Sequence, residues 1–373
     1  MDISRKRKVV FVVFVVIAIK LIIFFWASAN FNFTAFPADD MLSIWDRWDS
    51  NAYKTIAQTG YNFVNITPDY WAFLSHFLPL YPFIIRMVAG LFRITLTQSG
   101  LFISFISIIA ASIFLYKLAF SEFRSAKIAM LAVVAMNLYP ASYFSIGLYA
   151  ESLFLFLAIF SFYCLKKEYY FWCGVSGALA ILTRFTGVVF IPVFAAYFVY
   201  QWKRSGFKVR SLYPFFLSLV GLAVYLGINK IYYGDYFYFF KETLSFNATK
   251  HLMFPFQETY WDLIAVFRDS NFWDQAFMMS RGWNALFTVA ALGITAVGLY
   301  KINWVYSLFS LGSILMFASL SWGISNARYT FGVFPIFLVL ARCNKKTLAI
   351  LLPACGFGLL YFTYVYTSGA WAF

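Results

Sequence analysis

The 373 residues are 62% hydrophobic and only 12% charged, whereas an ordinary soluble domain is roughly a quarter charged, so a soluble globule is excluded. The length allows about ten or eleven spans of about twenty residues and no separate soluble domain, which predicts one integral membrane domain over residues 1–373. The net charge of +14 would suit nucleic acid only if the cations shared one soluble face; they are scattered between apolar runs, as the positive-inside rule requires.

In chain order, Arg5, Lys6, Arg7 and Lys8 precede an apolar run from Val9 to about Ala29, which predicts a cytoplasmic N-terminus. The run exceeds a signal core of about 7–15 residues, so it reads as an uncleaved anchor despite the Ala27-Ser28-Ala29 triplet. Lys20 within it must snorkel or face the bundle interior. Residues 30–96 read as the first outer loop, and residues 45–61 inside it hold two acids, an arginine, a lysine and four aromatics. Asp46, Asp49 and Tyr53, at steps of three and four, predict one face of an interfacial helix, extended by Ile56, Ala57 and Tyr61. A second amphipathic segment, from His76 to about Phe92, is predicted as a juxtamembrane helix. A full span there would put Lys117, Arg124 and Lys127 outside.

Further spans are predicted at 97–117, 127–146, 149–165, 170–184, 187–202, 212–230, 283–300, 303–322, 328–342 and 348–367, giving eleven with the anchor. Residues 231–282 form a second outer loop, long enough to act as a lid or binding element. This topology places seventeen of the 29 Lys and Arg inside and twelve of the 15 acids outside or at the outer membrane edge. The outer face therefore gathers the carboxylates. Cys164, Cys173, Cys343 and Cys355 show no metal-ligand spacing and are predicted as free thiols. Sequons at Asn32, Asn65 and Asn247 fall in the outer loops, at a number chance explains.

Several pieces, taken in order, carry a resemblance. They are Arg47-Trp48-Asp49 through Tyr53, Ile56, Ala57, Gly60 and Tyr61; Phe77-Leu78-Pro79-Leu80-Tyr81-Pro82; Tyr149-Ala150-Glu151-Ser152-Leu153-Phe154; Leu182-Thr183-Arg184-Phe185-Thr186-Gly187; and Ser325-Asn326-Ala327-Arg328-Tyr329 with Phe334-Pro335. As a set they resemble PIG-V-type mannosyltransferases, enzymes of the GT-C fold. The resemblance implies an all-α bundle with juxtamembrane helices in the first outer loop and an active site on the outer or lumenal face. It further implies transfer, with inversion, from polyprenyl or dolichyl phosphate mannose to a glycolipid, glycan or protein acceptor. Phe185 departs from the pattern, since a proline is expected after the arginine.

Such a transfer needs a base, for which Asp49 is the candidate; a carboxylate at a partly desolvated interface is a better proton acceptor near neutral pH. Asp46 would orient the acceptor or hold Arg47, and the two acids could exchange roles. Arg184 and Arg328 are the candidates for the donor phosphate, because guanidinium offers planar, bidentate donors. Glu151 is the alternative, structural partner of Arg184. Arg47, Tyr53, His76 and Tyr329 are candidates for further substrate contacts. No cofactor or metal is required, although Asp46, Asp49 and Glu151 could form an oxygen site for a divalent cation. A transporter or flippase of a lipid-linked sugar, or a non-catalytic lipid-binding subunit, is the alternative to an enzyme.

Overall fold

The computed structural model describes residues 3–31, 41–245, 252–268, 274–321 and 324–372. Regular structure among them is helical. Helix α1 (Ile3–Asn30) contains the apolar run predicted as an anchor, and Lys20 in it is buried with Nζ 3.3 Å from the Ser142 carbonyl, so it faces the bundle. Helices α2 (Ser50–Thr59), α3 (Pro68–Leu74) and α4 (Leu80–Phe92) occupy the predicted first outer loop. Thr67 caps α3 by accepting from the Tyr70 amide at 3.3 Å, and Pro68 sits where a missing N–H costs nothing. Asn65 is exposed with φ 55°; Asn32 and Asn247 lie outside the described residues.

Helix α5 (Leu96–Phe123) is longer than predicted, and α6 (Ala126–Asn137) is shorter. The expected span 127–146 stops because Pro140 cannot continue a helix and disfavours helical backbone before it; a 3-10 turn, Ser142–Ser145, follows. Then come α7 (Glu151–Lys166), α8 (Tyr170–Ile181), α9 (Phe190–Ser205), α10 (Tyr213–Tyr233), α11 (Tyr238–Ser245) and α12 (Gln257–Arg268). Helix α13 (Gln275–Phe277) passes through a π-turn, Met278–Gly282, into α14 (Trp283–Lys301), so the end of the predicted second loop is continuous with a span. After α15 (Trp304–Ala318), the expected span 328–342 is two short helices, α16 (Asn326–Phe331) and α17 (Pro335–Leu340), interrupted by Gly332 and Pro335. Helix α18 (Lys345–Thr367) closes the order. Among the described residues six helical segments are long and apolar enough to cross a membrane, and four shorter helices are also apolar. The chain is an all-α polytopic membrane protein.

Two compact units are distinguishable. One comprises Trp45–Ile108 and Gly147–Leu252, and its framework is α8 packed between α7 and α10. A Cβ on Gly174 would lie 2.6 Å from the Tyr213 carbonyl, and one on Gly221 would lie 2.7 Å from that of Ala178. Small residues thus let α8 and α10 approach closely, the usual device where water cannot drive helix association. Gly221→Leu is expected to force these helices apart at a cost of about 1–3 kcal/mol, read as a lower unfolding midpoint in detergent. An unchanged midpoint would contradict the close packing.

The other unit comprises Met1–Ile44, Ile109–Ile146 and Met253–Phe373. In it α14 packs on α15, α16 and α17, while α1 packs on α6 and α18. Asp262 of α12 is buried, with Arg281 at 3.7 Å. Burial, reinforced by Glu258 and opposed by Arg281, pushes its carboxyl up to about 7 from the usual 3.8. The folded state therefore holds this proton more tightly than the unfolded chain. The contribution to stability is full below pH 3.8 and is lost as pH rises through about 7. Asp262→Asn is expected to flatten the unfolding midpoint across that window; an unaltered pH profile would contradict the assignment.

Candidate active site

Helix α2 cannot extend back to Asp46, because Trp48 adopts the left-handed region at φ 49°. This corrects the expectation that Asp46, Asp49 and Tyr53 share one helical face. Asp46 lies before the turn and Asp49 is the N-cap residue. Tyr53, Ile56, Ala57 and Tyr61 are buried, and the Tyr53 ring stands edge-on to Phe77 and Tyr81, at 5.1 and 5.0 Å between centroids. The predicted substrate-facing stripe is thus a core face.

A left-handed tryptophan costs of order 1–3 kcal/mol and persists only where its surroundings impose it. Here they do. The Trp45 carbonyl accepts from the Leu148 amide at 3.0 Å. Ser50 Oγ donates to the Leu148 carbonyl and accepts from the Arg47 amide, each at 3.1 Å. Tyr149 donates its hydroxyl to the Arg47 carbonyl at 2.8 Å. The Tyr149 carbonyl in turn accepts from Ser104 Oγ at 3.2 Å, and Ser104 Oγ lies 2.9 Å from the Tyr81 hydroxyl. The Leu80 amide donates to Leu182 at 2.9 Å. Four of the sequence pieces singled out above therefore converge within one unit.

Asp46 is held from two sides, its Oδ2 accepting from Lys54 Nζ at 2.5 Å and from Thr97 Oγ1 at 2.6 Å. Neither partner is signalled locally in the sequence: Lys54 is eight positions from Asp46 and Thr97 is 51 away. The clamp fixes the start of the turn three residues before Asp49. The Asp49 side chain is half-buried and makes no capping bond to α2. Lys54→Met is expected to remove a charge-assisted bond worth ~1–3 kcal/mol and to speed amide exchange at residues 47–51, with Lys54→Arg restoring protection. Unchanged exchange in Lys54→Met would show that the clamp does not hold the turn.

Glu151 opens α7, where a carboxylate suits the positive helix end. Its side chain is 1% exposed and ion-paired with Arg184, itself 14% exposed. The pairing of Glu151 with Arg184 is the structural alternative considered above. Arg184 is extended at φ −147°, ψ 142°, ahead of a 3-10 turn, Phe185–Val189. A following proline would favour that conformation, so the substitution by Phe185 leaves this backbone in place. His76 lies between α3 and α4 with Nδ1 3.1 Å from the Phe73 carbonyl; a carbonyl only accepts, so this contact needs the proton on Nδ1.

The model of one family, described as dolichyl-phosphate-mannose-protein mannosyltransferase, matches residues 76–228. That stretch includes Glu151 and Arg184 and excludes the Asp49 turn. No curated protein sequence matches the chain. Among solved structures, ArnT from Cupriavidus metallidurans in the apo state aligns over 95% of this chain and 68% of its own, at 13% identity and a TM-score of 0.53. The chain has the GT-C fold. The Archaeoglobus fulgidus oligosaccharyltransferase, in complex with Zn and sulfate, aligns over 94% of this chain at 14% identity and a TM-score of 0.47. The chain spans about half the length of that protein, 52%.

In this GT-C chain Arg328 and Tyr329 belong to the second unit, on α16. Arg328 is 6% exposed, with its guanidinium 4.9 Å from the centroid of the Phe144 ring. The break at Gly332 and Pro335 makes α16 a short buried helix rather than the start of the unbroken span expected over 328–342. The Tyr329 ring lies 6.0 Å from that of Phe317. Among the described residues, no three His, Cys, Asp or Glu side chains are grouped as a metal site requires.

Proposed function

We propose that this chain is a membrane glycosyltransferase that moves a sugar, mannose by its resemblance, from a polyprenyl or dolichyl phosphate to an acceptor hydroxyl at the outer or lumenal face. The observation that carries this is the meeting, within one unit, of the strained turn bearing Asp49 with the segment that leads into the Glu151–Arg184 pair. The GT-C fold and the description of the matching family support a lipid-phosphate donor.

In the proposed displacement, the Asp49 carboxylate takes the proton of the acceptor hydroxyl while that oxygen bonds to the anomeric carbon. The bond from this carbon to the phosphate oxygen breaks with its electron pair, and the departing lipid phosphate gains a negative charge. Attack opposite the leaving group inverts the anomeric centre. A positioned base supplies about 10²–10⁴-fold of the rate. Arg184 is the proposed partner of the phosphate in this unit, sharing its guanidinium between phosphate and Glu151. Arg328 is proposed as a phosphate ligand on the chemistry of its side chain alone. Asp46, clamped by Lys54 and Thr97, acts as a positioning residue. Arg47, His76 and Tyr329 are proposed to support substrate binding, and the N-terminus to be cytoplasmic.

The test is incubation of membranes carrying the chain with radiolabelled polyprenyl phosphate mannose and native lipid extract. Label in a new product, dependent on the chain, is the expected result. Unchanged donor carried across the membrane would identify a flippase instead.

A further inference from the structure

Outside the reaction proposed above, the second unit contains a cleft of about 510 Å³, lined by the end of α5, the α14–α15 junction and the residue range after α17. Its polar lining comes from Glu122, Lys301, Asn303 and Arg342. We propose that this cleft binds the phosphate of an anionic phospholipid headgroup.

Depth is the first argument. Segments Leu96–Phe123 and Gln275–Lys301 are long and apolar enough to span a bilayer, and the cleft lies at the last residues of both. A span leaves the hydrocarbon at its ends, so the cleft opens at headgroup level.

Charge is the second. Arg342 donates one N–H to the Lys301 carbonyl and holds its guanidinium 5.2 Å from the centroid of the Phe123 ring. This fixes the plane of a fork that has further N–H donors to offer. Lys301, a second basic residue, also lines the cleft. Two cations, Lys301 and Arg342, thus face one acid, Glu122, which accepts from the Tyr306 hydroxyl at 2.6 Å. The Asn303 side chain accepts from the Val305 amide at 3.1 Å, so the positive end of the fifteen-residue α15 also meets the cleft. Basic pockets between membrane helices are a recognised way of holding anionic headgroups.

The test is native mass spectrometry of the purified full chain in mild detergent, titrated with phosphatidylglycerol, phosphatidylcholine or inorganic phosphate. Phosphatidylglycerol is expected to be retained over phosphatidylcholine. Lys301→Gln with Arg342→Gln is expected to lower its retention by about 30-fold, the effect of two juxtamembrane cations. Lys301→Gln alone, which leaves the Arg342 bond to the carbonyl intact, should lose about 5-fold. Lys345→Gln with Lys346→Gln removes two exposed cations that do not line the cleft and should leave retention near wild type. Three results would overturn the proposal: equal loss in the Lys345 and Lys346 variant, which would mean diffuse surface attraction; no loss in the Lys301 and Arg342 variant; or inorganic phosphate bound as tightly as the lipid, which would assign the cleft to a soluble anion.

Discussion

Asp49→Asn is expected to lower sugar transfer by about 10²–10⁴-fold while leaving the fold and donor binding intact. The amide matches the carboxylate in shape but cannot accept the acceptor proton. The Asp49 side chain makes no capping bond to α2, so at this N-cap the amide costs the helix only the charge–dipole contribution of about 0.3–1 kcal/mol. Asp46→Asn should behave differently. It weakens the bonds from Lys54 and Thr97, so activity and local stability should fall together. The two variants thus separate a group that handles a proton from one that places it. Retention of most activity by a well-folded Asp49→Asn variant would refute the assignment of the base.

The second large effect concerns the pair across α7 and the turn before α9. Arg184→Ala leaves the Glu151 carboxylate, 1% exposed, without its cation, and breaking a buried pair in this way costs about 3–5 kcal/mol. The expected result is a steep fall in the unfolding midpoint before any donor is added. Glu151→Gln with Arg184→Gln should recover much of that loss, because neither partner is then left as an isolated buried charge. Donor binding to the recovered variant is the informative measurement. A loss of about 1.5–3 kcal/mol is expected if the guanidinium also holds phosphate. Normal binding would place the phosphate site elsewhere, and a wild-type midpoint in Arg184→Ala would show that the pair is not structural.

Much of this architecture was legible because hydropathy is insensitive to detail. The helical membrane character follows from composition. The cost of leaving charge in an apolar medium narrows Lys20 to snorkelling or facing the bundle, and Arg184 to Glu151 or a phosphate. The fold shows a bundle-facing lysine and a Glu151–Arg184 pair. The turn at Trp48 was not legible. Residues 46–53 have helical spacing, and the bonds that break the helix come from Leu148 and Tyr149, about a hundred positions away. The same holds for Thr97, whose contact with Asp46 exists only after folding. The short α6 and the broken α16–α17 segment did carry local signals, Pro140 and Gly332 with Pro335. A twenty-residue apolar window averages over those signals, whereas the backbone does not.

Glycosyl transfer and phosphoglycosyl transfer differ in which bond of the donor breaks. The most direct measurement uses purified chain in vesicles with polyprenyl phosphate mannose labelled separately in the sugar and the phosphate. The proposed displacement predicts that the sugar label moves to acceptor while the phosphate label stays with the lipid, and that Asp49→Asn stops both the transfer and the release of lipid phosphate. Movement of the two labels together would mean phosphoglycosyl transfer and would contradict the role of Asp49 as base for attack at the anomeric carbon.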